Sequence, residues 1–297
     1  MDTPAPLFER VAVIGLGLIG GSLALRARRE GAVGHVTGCA RSERTLAVAR
    51  ERGMVDAATL DPRDAVAGAD LVVIAVPLGA YRALAAEIGP ALTAGAVVTD
   101  VGSVKATVIA DLAPHLPEGV ALVPGHPVAG TENSGPEAAF AELFDARRCI
   151  LTPPKGTDPQ AVARVKALWE RCGMSVELMD ASHHDLVLAL TSHLPHAIAY
   201  TIVGTATDLE HDLQAEVIKF SAGGFRDFTR IAASDPTMWR DIFLANREAV
   251  LEVLSRFDED LTRLKRAIRR GDGPAMYELF ERTRQIRRSI LAANPKP

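Results

Sequence analysis

The sequence predicts an α/β protein, a doubly wound parallel sheet followed by an all-helical region. Three observations predict it. The first is Val13-Ile14-Gly15-Leu16-Gly17-Leu18-Ile19-Gly20-Gly21-Ser22, a buried-strand run that ends in Gly-x-Gly-x-x-Gly and opens an alanine- and leucine-rich helix. The second is an alternation of short apolar runs with helical stretches as far as about Met179. The third is the disappearance of strand signals after Asp180, where apolar residues recur at helical spacing instead.

Each glycine of the loop has a separate task. Gly15 permits the tight turn off the strand, Gly17 lets a pyrophosphate approach the backbone, and Gly20 lets helix and strand pack closely. The helix start after Leu18 and Ile19 offers free N–H groups and a partial positive charge to phosphates. A Rossmann-type dinucleotide site is the reading, with Val76-Pro77 contributing from the end of another strand. The uncharged run Val11–Leu25 is too short to span a bilayer, which takes roughly 20 residues. No small-residue cleavage site follows it, so a cytoplasmic protein is expected.

The predicted strands are Val11–Ile14, His35–Cys39, Asp70–Val76, Ala96–Asp100, Ala121–Pro124, Cys149–Thr152 and Ser175–Met179, read as one parallel sheet. The predicted helices between them are Ser22–Glu30, Glu43–Arg52, Tyr81–Ile88, Lys105–Leu112 and Pro159–Cys172. Residues 1–179 are therefore expected to form the dinucleotide-binding domain, and 180–297 an all-helical one. Leu186–Thr207 reads as an apolar helix in which Pro195 produces a kink. Asp235-Pro236 reads as an N-cap and first helical residue. Val250, Leu254, Phe257, Leu261, Leu264 and Ile268 form one apolar face, and a second helix follows the break at Gly271–Pro274. This pair suits an intramolecular hairpin, and its long stripes also suit a homodimer interface.

The 297 residues are 48% hydrophobic and 24% charged, with a net charge of −4, which gives a sizeable core and no basic footprint for nucleic acid. Cys39, Cys149 and Cys172 have no metal-ligand spacing and read as small buried hydrophobes. Proteins of this fold that bind NAD place Asp or Glu about 20 residues beyond the glycine loop, to hold the ribose 2′-hydroxyl. Here Ala40 and Arg41 occupy that stretch, and Arg41, Ser42 and Arg44 suit a 2′-phosphate, favouring NADP over NAD. Arg41 as a solvated residue, or stacked on adenine, is the alternative.

Three further clusters carry candidate chemistry. In Asp100-Val101-Gly102-Ser103-Val104-Lys105, Ser103 reads first as a helix cap. In Gly125–Gly135, His126 stands at the ligand edge of the sheet as a candidate acid or base. In Ser192–His196, His193 and His196 share a helix face; a zinc site with His183 and His184 is the weaker alternative, and no metal is expected. Arginines of Gly223–Arg230 suit carboxylate binding.

Taken in order, Val13–Ser22, Thr99–Lys105, Gly125–Gly135, Ser192–His196 and Phe225–Asp241 resemble the prephenate/arogenate (cyclohexadienyl) dehydrogenase family, nearly end to end. The resemblance implies a Rossmann domain, a helical dimerisation domain, and oxidative decarboxylation of a cyclohexadienyl substrate with hydride transfer to a nicotinamide. It implies His126 as partner of the substrate hydroxyl, Ser103 as the group orienting it, His196 in the pocket and Arg230 as carboxylate binder. Thr131, Glu132, His193 and Trp239 become pocket or gate residues, and Asp227 a supporting ion-pair partner. Two positions depart from the pattern: Asn133 stands where many relatives have Lys, and Ala40 where many NAD-using relatives have Asp. No appended regulatory or mutase domain is expected. Two alternatives stay open. A β-hydroxyacid-type dehydrogenase would use a helical-domain lysine, for which Lys219 is the candidate, and a non-catalytic NADP sensor would need only the fold.

Overall fold

The computed structural model describes residues 5–131, 133–207 and 223–293, so Glu132 and Lys219 lie outside the described residues. Six parallel strands form the main sheet: β1 (Phe8–Ile14), β2 (Val33–Cys39), β3 (Ala57–Thr59), β4 (Leu71–Ile74), β5 (Val97–Asp100) and β6 (Ala121–Leu122). Their order is β3-β2-β1-β4-β5-β6, so the chain reverses direction across the sheet between β1 and β4. Ligands bind at such a switch point, beyond the carboxyl ends of the strands.

The sheet buries both faces. Val11, Val13, Leu71 and Val73 point into one core; Ala12, Ile14, Val72 and Ile74 point into the other. The crossover helices α1 (Leu18–Arg29), α2 (Glu43–Glu51), α3 (Pro62–Val66), α4 (Tyr81–Ile88) and α5 (Lys105–Leu112) supply the covering layers. Asp61, followed by Pro62, caps α3, a short helix that sequence periodicity is too brief to disclose.

One expectation is corrected here. The last strands do not extend the main sheet. β7 (Gly125–Pro127), β8 (Arg148–Leu151) and β9 (Ser175–Leu178) form a second sheet, with β7 antiparallel to β8. Among the described residues no crossover helix joins β7 to β8, only a loop with short 3-10 turns, and that leaves the antiparallel pairing open to them. Helix α6 (Pro159–Arg171) joins β8 to β9, which are parallel.

Beyond β9 the described chain is helical: α7 (Ala181–Leu188), α8 (Leu194–Thr207), α9 (Gly223–Thr229), α10 (Pro236–Ala245), α11 (Arg247–Arg270) and α12 (Gly273–Ala293). The regular winding is interrupted next to Pro195. Pro195 is the second residue of α8, which follows directly on a π-helical turn at Ala189–His193. Asp235 does cap α10, its carboxylate accepting Met238 N–H at 2.8 Å. Trp239 and Ile242 of α10 enter the same core as Ile74 and Tyr81.

By its internal contacts the chain divides into two compact units, Met1–Arg247 and Glu248–Pro297. The second holds nearly all of α11 together with α12, joined through Gly271 at φ +65°, where glycine is the residue without strain. Leu261, Ile268, Tyr277, Phe280, Ile286 and Ile290 of these helices are exposed.

Candidate active site

The glycine loop sits at the β1/β4 switch point. Gly15 has φ +100°, and a Cβ there would lie 2.3 Å from the Ala75 carbonyl oxygen beyond β4. A Cβ on Gly20 would lie 2.0 Å from the Gly15 carbonyl oxygen. At Gly17 a Cβ would meet nothing within 4 Å, so this glycine is not required by packing. Gly17 is also the N-cap of α1 and offers no side-chain acceptor to the first turn, which leaves those N–H groups for a ligand. The loop thus fits a dinucleotide pyrophosphate: two glycines are demanded by the fold and one by open space. Val76 and the exposed Pro77 continue from Ala75 at the same edge.

At the end of β2, Arg41 is exposed, whereas its neighbours are engaged. Ser42 caps α2, its hydroxyl accepting Thr45 N–H at 3.2 Å. Arg44 is paired with Glu137 at 3.0 Å. Arg52 of the turn after α2 donates to the carbonyls of Pro136, Glu137 and Ala139. Two arginines therefore tie the stretch after the Gly125–Gly135 loop to the α2 corner.

His126 lies in the middle of β7 and is buried. Its Nδ1 is 2.9 Å from Nε2 of His184, whose own Nδ1 is 2.8 Å from Oδ1 of Asp185. The His184 ring is fully buried. Asp185 also accepts Lys105 N–H at 2.7 Å and Ala106 N–H at 2.9 Å, and so caps the N-terminus of α5. This corrects two expectations. Ser103 does not cap α5, because the N-cap residue is Val104 and the acceptor comes from α7. His184, not Ser103, hydrogen-bonds His126; Ser103 is half-buried on the loop between β5 and α5. His184, weighed in the sequence only as a zinc ligand, is the middle of a relay.

Proton accounting fixes the roles of the relay. A carboxylate holding two backbone N–H groups is an acceptor, so His184 Nδ1 donates to it. His184 Nε2 then accepts from His126 Nδ1–H, and His126 Nε2 carries a free lone pair. Burial, followed by the neighbouring His184, Lys105 and His193, holds the His126 imidazole well below its usual 6.5, and hence neutral near pH 7.

Behind the relay lies a buried ion pair. Lys105 Nζ is 2.6 Å from Asp100 Oδ2, with both side chains fully buried. Lys105 also donates to the Gly125 carbonyl at 2.7 Å, and Asp100 accepts Gly102 N–H at 2.7 Å and Gly125 N–H at 3.1 Å. The Tyr81 hydroxyl, 3.2 Å from Asp100 Oδ2, completes the shell.

The second cluster gathers on Trp239. His196 stacks on the indole with centroids 3.5 Å apart, and His193 meets it edge-on at 6.0 Å. His196 Nδ1 donates to the Ser192 carbonyl at 2.9 Å, which leaves its Nε2 as an acceptor. Arg230 acts on His196 electrostatically, lowering its pKa after burial has done so. His193 Nδ1 accepts from the Asn246 amide at 3.1 Å, so its buried Nε2 carries the proton; that atom and Trp239 Nε1 have no partner among the described residues. Burial pulls His193 down to about 4. Thr131 is exposed, its hydroxyl accepting Asn133 N–H at 3.2 Å, and Asp227 is exposed on α9.

Fold and loop together define a dinucleotide-binding α/β protein with a helical second region. Its residues 23–178 match the family model "Prephenate dehydrogenase, nucleotide-binding domain", and residues 180–282 match "Prephenate dehydrogenase, dimerization domain". It is 44% identical over 284 residues to the cyclohexadienyl dehydrogenase of Zymomonas mobilis, covering 96% of this chain and 97% of that one. It is 32% identical over 280 residues to the prephenate dehydrogenase of Bacillus subtilis, covering 94% of this chain and 75% of the relative. Among solved structures, prephenate dehydrogenase from A. aeolicus in complex with hydroxyphenyl propionate and NAD+ superposes with a TM-score of 0.88 at 37% identity, covering 95% of this chain and 98% of that one. The chain belongs to the prephenate dehydrogenase family.

Proposed function

We propose that this protein oxidatively decarboxylates prephenate, arogenate or both, giving 4-hydroxyphenylpyruvate or tyrosine, with NADP preferred to NAD. The observation that carries the reading is the His126–His184–Asp185 relay, which leaves a neutral His126 Nε2 beside the cofactor edge of the sheet. The bound nicotinamide supplies the hydride acceptor. His126 Nε2 takes the proton of the ring hydroxyl, and His184 and Asp185 stabilise the imidazolium that forms. The carbinol C–H bond gives up its hydride, the bond from ring to carboxylate breaks, CO2 leaves, its electron pair completes the aromatic ring, and the phenolate oxygen takes its proton back from His126.

Arg230 and His196 suit the substrate's carboxylates, as cation and hydrogen-bonding partner. The donors His193 Nε2 and Trp239 Nε1, without a partner among the described residues, suit acceptor atoms of the same molecule. Ser103, Thr131 and Glu132 are assigned to the pocket, with Asp227 supporting Arg230. Arg41, without an acid at Ala40, favours the 2′-phosphate of NADP; Ser42 contributes through its helix cap, and Arg44 only at the expense of its pair with Glu137.

The functional division is assigned to residues 1–179 for the dinucleotide and 180–297 for substrate and dimerisation. Leu186, Leu190 and Ile202 are exposed on the apolar helix Ala181–Ala206, and the exposed apolar stripes of α11 and α12 by themselves suit a second copy of the chain. That helix is long and apolar enough to cross a membrane by length and composition, but it also carries buried His184, Asp185 and His193. A cytoplasmic homodimer without nucleic-acid or membrane partners is the form proposed. Spectrophotometric assay of purified protein, crossing prephenate and arogenate with NAD and NADP, tests the reading. Turnover of either substrate, faster with NADP, is expected; no turnover in any combination contradicts it.

A further inference from the structure

Residue 105 holds both ends of the relay. Its backbone N–H donates to Asp185, the terminal carboxylate, at 2.7 Å. Its side chain reaches the other end: Nζ donates to the carbonyl of Gly125, the residue before His126, at 2.7 Å. The amide of Gly125 is held from the same pair, by Asp100 Oδ1 at 3.1 Å. A Cβ on Gly125 would lie 3.1 Å from the Asp100 carbonyl oxygen, so the strand is drawn tightly onto the pair. Asp100 Oδ2 also accepts Gly102 N–H at 2.7 Å, one residue before Ser103.

Burying two charges costs several kcal/mol per ion, and well-packed apolar residues often serve stability as well as such a pair does. Packing alone is therefore a weak reason for this one. We propose that the buried Asp100–Lys105 pair is the positioning element of the site, fixing the backbone before His126 and before Ser103 against the α5–α7 junction that carries Asp185. The inference rests on the assignment of His126 as the base. Neither residue touches substrate; each acts through the backbone it holds. Lys105 has a second effect, since its charge lies among those that keep His126 neutral. The titratable groups facing His126 are His184, Lys105 and His193; those facing Lys105 are Asp100, Asp185 and Cys149, with Tyr81 on Asp100.

The test compares full-length wild-type protein with Lys105→Met/Asp100→Asn, which removes both charges together, and with Lys105→Gln, which keeps a donor. Melting temperature, NADPH affinity, kcat, KM for prephenate and the pH profile of kcat/KM are measured. The folded double variant is expected to bind NADPH normally, to lose roughly 10- to 100-fold in kcat, and to show its acid limb at higher pH. Lys105→Gln is expected to recover part of kcat while keeping the shifted limb. A folded double variant with wild-type kcat and an unmoved acid limb overturns the proposal, as does a Lys105→Gln enzyme indistinguishable from wild type. His126→Asn, assayed in parallel, separates the two claims. Wild-type turnover in that variant overturns the assignment of His126 and this inference with it. An inactive His126→Asn beside a double variant that behaves as wild type overturns this inference alone.

Discussion

His126 Nδ1 and His184 Nε2 lie 2.9 Å apart, with the two rings 70° from coplanar. One bond thereby joins a strand of the small sheet to the first helix of the helical region. It also sets which nitrogen of His126 is left for chemistry, because the donors run one way, from His126 through His184 to Asp185, which only accepts.

Asp185→Asn breaks that direction. An amide can donate to His184 Nδ1, which turns the histidine over and takes the lone pair from His126 Nε2. We expect kcat to fall by roughly 100- to 10,000-fold, with cofactor affinity little changed. Steady-state kinetics beside NADPH binding checks this; a loss of affinity as large as the loss of kcat would point to a collapsed α5 N-terminus instead.

The pH dependence follows from burial. His126 is held well below 6.5, so the acid limb of kcat/KM belongs well below that value rather than at it. Stability runs the same way. The buried neutral histidines bind fewer protons than they do in the unfolded chain, so acidification favours unfolding. Loss begins as pH drops below 6.5 and continues, for His193, to about 4. Thermal melts across that range should show a falling Tm, and a flat profile would contradict the burial of these rings.

The glycine loop separates fold from binding. Gly20→Ala places a Cβ 2.0 Å from a backbone oxygen and should lower the melting temperature markedly. Gly17→Ala meets no protein atom within 4 Å and should melt as wild type, while losing cofactor affinity. Melting curves with a dinucleotide titration distinguish the two; equal damage to both properties in both variants would undo the assignment.

Arg41→Asp should raise KM for NADP far more than for NAD, since it exchanges a partner of the 2′-phosphate for a partner of the 2′-hydroxyl. Equal effects on both cofactors would remove that role from Arg41.

The parts legible in the sequence are those dictated by local chemistry. Helices Tyr81–Ile88 and Lys105–Leu112 fall at the expected residues, and Asp235-Pro236 starts a helix as its residue types require. β3 and β7 escaped because three residues such as Ala-Ala-Thr or Gly-His-Pro carry no period. His126 was legible as a candidate from its residue type beside a proline- and glycine-rich loop, although it stands in the middle of β7 and not at the end of a main-sheet strand. His184 was not, since His183 precedes it and composition does not choose between two adjacent imidazoles. The helix register does choose: Asp180 caps α7, and buried His184, Asp185, Leu188 and Ala189 then form one stripe, with His183 outside it. The Asp100–Lys105 pair was beyond reach for another reason. Its function lies largely in the backbone of Gly125, which only the tertiary fold brings to it.

The most direct measurement of the central claim is turnover by His126→Asn with the preferred substrate and cofactor, alongside its affinity for NADPH. Removal of the base predicts a severe loss of kcat, roughly 100- to 10,000-fold, with cofactor affinity near wild type. An enzyme that binds NADPH normally and retains near-wild-type turnover would contradict it.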